Sequence, residues 1–239
     1  MSLTVAVPTM DRWDYFLKYQ LPIYLEHPKI KCVVISDENG NDLEKICQEG
    51  YDMNPKLRMY QNEEILGVYG NKRQCFLKAP TEWVAVLDSD NHFTNDYFDA
   101  FFSVMDPSNT KMIYNAGKNE RLFVESGLVE NRIGHFSGMK ITSSNWNTVL
   151  KTVGWNFLLN NGNCIWPREV VNHFPDLPEE EIVGTDSIFC MRQAILAGYT
   201  LNVEPTMHYT HSVHNGSHWL QNAEVSSKLM AMRDWKINI

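Results

Sequence analysis

Short apolar runs alternate with amphipathic stretches over the first 90 residues of the chain. Residues 3–7 (Leu-Thr-Val-Ala-Val) are apolar and β-rich, are closed by Pro8-Thr9, and predict a buried first strand. Residues 14–25 place Tyr15, Leu17, Leu21 and Leu25 at helix-like spacing, with Pro22 as a kink or break. Residues 31–36 predict a second strand, and the polar turn over 37–42 can cap a helix running from Leu43. A short third strand is expected over 57–60, a helix over 70–79, and a fourth strand over Trp83-Val84-Ala85-Val86-Leu87.

The pattern loosens after Asp96. Residues 97–105 and 181–197 read as helices and 111–114 and 199–203 as strands, while 117–163 is rich in Asn, Gly, Ser and Trp. Strand–helix alternation of this kind predicts an α/β fold with a mostly parallel central sheet flanked by helices and joined by right-handed crossovers. With no repeat and no linker, the expectation is a single domain over residues 1–218, in halves of about 1–110 and about 111–218. The tail, residues 219–239, carries Leu220, Leu229, Met230, Met232 and Trp235, enough for a packing helix, a dimer contact or a surface anchor.

Composition narrows the partners. With 239 residues, 44% hydrophobic and 21% charged, the chain can bury a sizeable core. A net charge of −8 argues against nucleic acid, whose binding needs clustered Lys and Arg. The five cysteines are dispersed without C-x-x-C spacing, as expected for reduced thiols in the cytoplasm. Neither a signal peptide nor a transmembrane segment is expected.

Candidate chemistry sits where the strands end. Asp88-Ser89-Asp90 follows the fourth strand, at the carboxyl edge where open α/β sheets bind ligands, and two carboxylates one residue apart suit Mg²⁺ or Mn²⁺ holding phosphate oxygens. Asp37, past the second strand, either accepts hydrogen bonds from a base or ribose or belongs to a solvated, capped turn. Lys72 and Arg73, after Gly67 and Gly70 at a helix start, are either a phosphate-binding pair or a solvated one; no P-loop is present. Glu179-Glu180-Glu181 reads as a solvated helix start. Asp186, set before the apolar face of Ile188, Phe189, Met191 and Ile195, is a general-base candidate or an N-cap.

His208, His211, His214 and His218 crowd into eleven residues. They allow a His-only zinc site, one histidine completing a mixed O/N shell with the Asp pair, or surface histidines in a polar loop. No G-x-S-x-G elbow or cysteine-nucleophile signature is present.

In order and spacing these pieces resemble the GT-A fold of nucleotide-sugar glycosyltransferases, most like the inverting family two. Val5-Ala-Val-Pro-Thr9 with Asp11-Arg12 is similar to that family's opening P-T-x-N-R segment, with Asp11 for the usual Asn. Val33-Val-Ile-Ser-Asp37 with Gly40-Asn-Asp42 resembles its V-V-D-D-G-S-x-D region, and Lys72-Arg73 falls where A-R-N is common. Asp88-Ser-Asp90-Asn91 resembles the D-x-D motif. Asp186, Arg192 and Gly198 mirror E-D-x5-R-x5-G with Thr185 for the first acid, and His211-Ser-Val-His214-Asn-Gly-Ser217 resembles R-x-H-x-G-S.

The resemblance implies a GT-A (Rossmann-like) domain whose first half binds a nucleoside diphosphate sugar and whose second half binds a glycan or other hydroxyl acceptor. Pro8, Thr9, Asp11, Arg12, Asp37, Lys72, Arg73, Asp88, Ser89, Asp90 and Asn163 are the implied donor-binding residues. Asp90, supported by Asp88, with His214 and then His211, would hold Mn²⁺ or Mg²⁺, and Asp186 would be the base of an inverting transfer. Trp155, Asn161, Asn163 and Trp166 line the sugar and acceptor cleft in this reading, or are ordinary core and loop residues. The rivals are a sugar-phosphate nucleotidyltransferase, against which the glycine-poor Pro8–Arg12 segment counts, and a non-catalytic nucleotide- or carbohydrate-binding module.

Overall fold

Leu3–Thr9 forms strand β1, and all seven of its residues are buried. A strand covered on both faces belongs inside a sheet. In the computed structural model β1 pairs in parallel with β2 (Ile30–Asp37), which pairs in turn with β3 (Leu57–Gln61), while β4 (Trp83–Val86) runs parallel along the other side of β1. The structure describes every residue except Met1, His92, Arg132, Asn161 and Ile239, and only the main chain of Glu179, His218 and Trp219. Asn161 and the His218 side chain, both named above, therefore lie outside the described residues.

The sheet continues through β5 (Met112–Phe123), β6 (Leu128–Asn131), β7 (Lys140–Ile141), β8 (Ile165–Pro167) and β9 (Thr200–Val213). Its order is β3-β2-β1-β4-β8-β5-β9-β7, with β6 attached to β5. Strand β8 is antiparallel to both β4 and β5, β6 and β7 are antiparallel additions, and β5 and β9 pair in parallel. The sheet is thus mostly parallel in its first half and mixed in its second, within one domain.

Seven helices frame it: α1 (Lys18–Glu26), α2 (Asn41–Gln48), α3 (Gly67–Lys78), α4 (Asn95–Val104), α5 (Ser143–Val149), α6 (Trp155–Leu159) and α7 (Asp186–Leu196). Side chains alternate across a strand, so β1 feeds two cores. Leu3, Val5 and Val7 pack with Leu21 and Phe98 on one face, and Ala6 packs with Tyr69, Phe76, Leu158 and Met191 on the other. Each such fully buried aliphatic or aromatic side chain contributes about 1.5–3 kcal/mol relative to exposure, which makes the strand ends that carry the site a firm platform.

Several expectations are revised. The helix expected from Asp14 begins as a π-turn, Trp13–Leu17, and continues as α1 with Pro22 inside it. Helix α3 starts at Gly67, so Lys72 and Arg73 lie in its second turn and not at its N-terminus. The two late strands are far longer than the apolar runs suggested, because most of their polar residues face a cleft or the surface. A register shift between Ala116 and Lys118 interrupts the β5–β9 ladder at Gly117, where a Cβ would stand 2.7 Å from the Glu204 carbonyl oxygen. The tail forms α8 (His218–Gln221) and α9 (Ala223–Met232), then an extended segment whose Trp235 and Ile237 are buried in the domain core. No helix of the described residues is long and apolar enough to cross a membrane.

Candidate active site

Asp88 emerges one residue past Leu87, whose N–H still bonds to the Ala6 carbonyl. The chain then turns, Asn91 N donating to Asp88 O at 2.9 Å. Both carboxylate oxygens of Asp88 are engaged: Oδ1 lies 2.9 Å from Lys72 Nζ, and Oδ2 accepts from Asn163 Nδ2 at 3.1 Å. Asn163 also accepts from the Asp88 N–H at 2.8 Å. Burial opposes the Asp88 charge, but the Lys72 ammonium, with His211 and Asn163, outweighs it and holds the carboxyl below the ordinary range. Asn163 is 1% exposed and does not line the cleft, so it positions Asp88 instead of meeting the donor as expected.

Lys72 reaches across to Asp186, Nζ to Oδ2 at 3.0 Å. Burial alone would lower the lysine, yet the paired charges of Asp186 and Asp88 raise it, and it remains an ammonium. Asp186 is the first residue of α7, preceded by Thr185 at the cap position, so the N-cap alternative does not hold. Gly162 permits this packing, since a Cβ there would stand 2.5 Å from Ser187 Oγ and 3.5 Å from Lys72 Nζ. Arg73 does not line the cleft but a small adjoining pocket shared with Tyr69, Phe76, Lys72 and Asp186, so it borders the ion pair without reaching the expected donor surface.

The histidines separate. His208 and His211 stand three apart on β9 and so face opposite sides. His208 Nε2 pairs with Glu120 at 3.0 Å on the exposed side, whereas His211 lines the cleft. That geometry rules out a site shared by His208, His211 and His214. Burial pushes His211 down, with Asp90 and Asp88 opposing and Arg121 and Lys72 adding to the shift, which favours neutral imidazole. His214 follows the strand. Its Nδ1 accepts from Gly216 N at 3.2 Å, which leaves Nε2 to donate to Asp90 Oδ2 at 3.0 Å. Arg12 Nη2 bonds the Gly216 carbonyl at 3.1 Å, tying the end of β1 to this loop. Asn91 completes the joint, donating to Asp90 and accepting from Ser212 N.

At the β1–β2 end the acids divide between structure and cleft. Asp37 is fully buried and accepts from the N–H groups of Asn39, Asp42 and Leu43. Burial raises its pKa against those bonds. It caps α2, the second of its two readings, though buried and not solvated, and it does not line the cleft, where the base or ribose contact was expected. Asp42, also buried, accepts from the Thr9 hydroxyl and the N–H groups of Arg12 and Trp13. Asp11 is exposed, sits at φ +56° and accepts from Asn39 and Asn41, again away from the cleft. Glu38 is the acid of this turn that lines the cleft, a position that nothing in the polar run Asp37–Asp42 distinguishes in the sequence.

The cleft holds about 450 Å³ and runs from Pro8, Thr9 and Glu38 past Ser89 and Asp90 to Asp186. Its far wall is built by Asn119 and Arg121 of β5, Asn156 and Phe157 of α6, and Met230 of α9. The Arg121 guanidinium rests 5.0 Å from the Phe157 ring centre. Trp166 is a core residue packed edge-on against Phe76 and Phe174, and Trp155 packs on the core, so neither tryptophan lines the cleft. The signal for the far wall was the Asn-rich stretch after Gly154, where one helical turn presents Asn156, Phe157 and Asn160.

Among the described residues no group of three or more His, Cys, Asp or Glu can hold a metal ion by protein ligands alone. Asp90 and His214 nevertheless form a mixed carboxylate–imidazole pair beside the cleft. Asp90 offers an oxygen to Mn²⁺ or Mg²⁺ that takes further oxygens from phosphate and water, and His214 can join it only through an Nε2 that has given up its proton and its bond to Asp90.

The family model for Glycosyl transferase family 2 matches residues 4–145, more than half of the chain, and the chain belongs to that family. Solved structures of S. aureus TarS share its fold. Residues 1–349 of TarS superimpose with a TM-score of 0.67 at 17% identity, covering 98% of this chain and 66% of that one. The same portion in complex with UDP-GlcNAc gives 0.67 at 15% identity, covering 97% and 66%. Its UDP complex gives 0.65 at 17%, covering 98% and 67%. This chain thus spans about two-thirds of the length of those structures. A search of curated proteins gives no match.

Proposed function

We propose that the chain transfers a sugar from a nucleoside diphosphate sugar to an acceptor hydroxyl, with inversion and with Mn²⁺ or Mg²⁺. The observation that carries this reading is the span of Lys72, which lies within 3.0 Å of both Asp88 and Asp186, carboxylates that line one cleft; this supports a donor site at the Asp88-Ser-Asp90 turn and a base at Asp186. The first half would hold the donor, with Pro8, Thr9 and Glu38 at the nucleoside and Arg12 and Ser89 toward the diphosphate. The second half, with Asn119, Arg121 and Phe157, would face the acceptor. Asp90 and His214 would hold the metal, which when bound neutralises charge on the departing diphosphate.

In the transfer, the acceptor oxygen attacks the anomeric carbon from the face opposite the diphosphate. The carbon–oxygen bond to the phosphate breaks as the new glycosidic bond forms, and the nucleoside diphosphate leaves with the bonding pair. Asp186 takes the hydroxyl proton. Its Lys72 partner, 3.0 Å from Oδ2, orients the carboxylate so that the other oxygen is left for the acceptor. A cytoplasmic setting agrees with the five free thiols, of which Cys32, Cys75 and Cys164 are buried. UDP-GlcNAc is the first donor to try, given the TarS complex. The decisive experiment is calorimetry of nucleoside diphosphates and nucleotide sugars with and without Mn²⁺, paired with an assay for nucleoside diphosphate release. Binding that ignores Mn²⁺ and an absence of release with every donor would overturn the reading.

A further inference from the structure

The carbonyl of Gly184, two residues before Asp186, receives side-chain hydrogen bonds from two directions. Asn160 Nδ2 donates from the end of α6 at 2.8 Å, and Ser226 Oγ donates from α9 at 3.1 Å. Gly184 sits at φ +66°, the left-handed turn that delivers the chain into α7. No side chain caps that helix at Thr185, so the direction in which Asp186 leaves the loop depends on how the preceding residues are held.

Ser226 is the buried residue of α9, 3% exposed, and a buried hydroxyl must be paired. Arg233, just past the helix, donates to the Glu181 carbonyl on the same loop. The segment that follows is fastened to the domain through its main chain. Trp146 Nε1 bonds Trp235 O at 2.8 Å, Asn147 exchanges two bonds with Ile237 at 2.8 and 3.0 Å, and Arg192 Nη2 bonds Lys236 O at 2.8 Å. Met230 of the same helix lines the cleft.

We infer that α9 and the segment behind it are part of the catalytic apparatus, with Ser226 a positioning residue that sets Asp186 through the Gly184 carbonyl. The inference rests on Asp186 being the base. Displacing a reacting group by about 1 Å can cost on the order of 100-fold in rate, so a strap on this loop acts on turnover and not on donor affinity.

The test compares the wild-type chain with Ser226→Ala, Ser226→Cys and Ser226→Thr. Three readouts are taken: hydrogen exchange over residues 182–189, UDP affinity by calorimetry, and UDP release from UDP-GlcNAc with Mn²⁺. Ser226→Ala and Ser226→Cys should exchange about tenfold faster in that segment and release UDP about tenfold more slowly, with UDP affinity unchanged. Ser226→Thr, which restores the hydroxyl, should restore both. Wild-type exchange in Ser226→Ala, or a Ser226→Thr that behaves like the alanine variant, overturns the proposal whatever the donor. Asp186→Asn separates the two readings. If it retains turnover while Ser226→Ala still loosens the loop, the base assignment fails and the catalytic role of Ser226 fails with it. If it loses turnover while Ser226→Ala exchanges as wild type, the strap alone fails.

Discussion

Lys72 Nζ stands 3.0 Å from Asp186 Oδ2 while also contacting Asp88, so one ammonium serves carboxylates 98 positions apart in the chain. Lys72 and Asp186 are mostly buried and Asp88 partly so at the cleft, and removing the cation takes from both acids the partner they share. Lys72→Met is expected to destabilise the fold by about 3–5 kcal/mol in denaturant titrations, as loss of one partner from a buried ion pair does. Lys72→Arg should recover part of that loss. Equal stability of wild type and Lys72→Met would show that the contact contributes nothing.

Asp186→Asn keeps the volume of the side chain and a hydrogen-bond acceptor toward Lys72 while removing the basic oxygen. Turnover should fall by about 10²–10⁴ with UDP affinity retained. Measured by UDP release and calorimetry on the same sample, preserved turnover would remove Asp186 from the mechanism.

Asp90 and His214 bond each other across the joint between the D-S-D turn and the end of β9. Asp90→Ala and His214→Ala should each remove the part of UDP affinity that depends on Mn²⁺ and leave the Mn²⁺-independent part in place. His208→Ala, on the opposite side of β9 beside Glu120, should change neither. A loss of Mn²⁺ dependence in the His208 variant equal to that in the His214 variant would contradict the geometry.

The first half of the fold was legible because strands buried on both faces carry short continuous apolar runs, as in Val5-Ala-Val7 within Leu3–Thr9 and Cys32-Val-Val-Ile35 within Ile30–Asp37. The second half was not. Along Met112–Phe123 and Thr200–Val213 most polar positions belong to the cleft or the surface, so residues such as Asn119, Arg121 and Glu204 mask the strand signal. Site residues divide in the same way. Asp88, Asp90 and Asp186 stand at element ends, where an unpaired carboxylate is conspicuous. Adjacent polar residues in a turn carry no such distinction: nothing local in Asp37-Glu38 says which carboxylate turns inward to cap α2 and which faces the cleft. The part played by Asn163 was also hidden, because it depends on a contact between residues 75 positions apart.

That division at Asp37 and Glu38 can be tested. Asp37→Ala removes the acceptor of three backbone hydrogen bonds in the turn leading into α2, and its cost should be about 0.5–2 kcal/mol of stability, typical of a lost cap. UDP affinity should change little. Glu38→Gln retains an oxygen for the Leu66 N–H, which Glu38 accepts at 2.9 Å, but removes the charge from the cleft, so it should act chiefly on UDP binding measured by calorimetry. The opposite ranking of the two variants in affinity would return the nucleoside contact to Asp37.

A pH dependence of stability follows from His27, far from the cleft. Burial beside Phe98 and Phe102 lowers its pKa, against the attraction of Asp99 and together with the repulsion of Lys29 and Lys56. Its Nδ1 accepts from the Lys29 N–H at 3.2 Å, a bond that only an unprotonated nitrogen can make. The folded protein therefore prefers neutral His27 more than the unfolded chain does. Its contribution is complete above the unfolded value of about 6.5 and is lost as pH falls toward the lower folded value. Thermal unfolding followed by circular dichroism should show Tm falling more steeply between roughly pH 7 and 5 in the wild type than in His27→Asn, whose side chain does not titrate. Parallel slopes for the two proteins would mean that His27 carries its proton equally in both states.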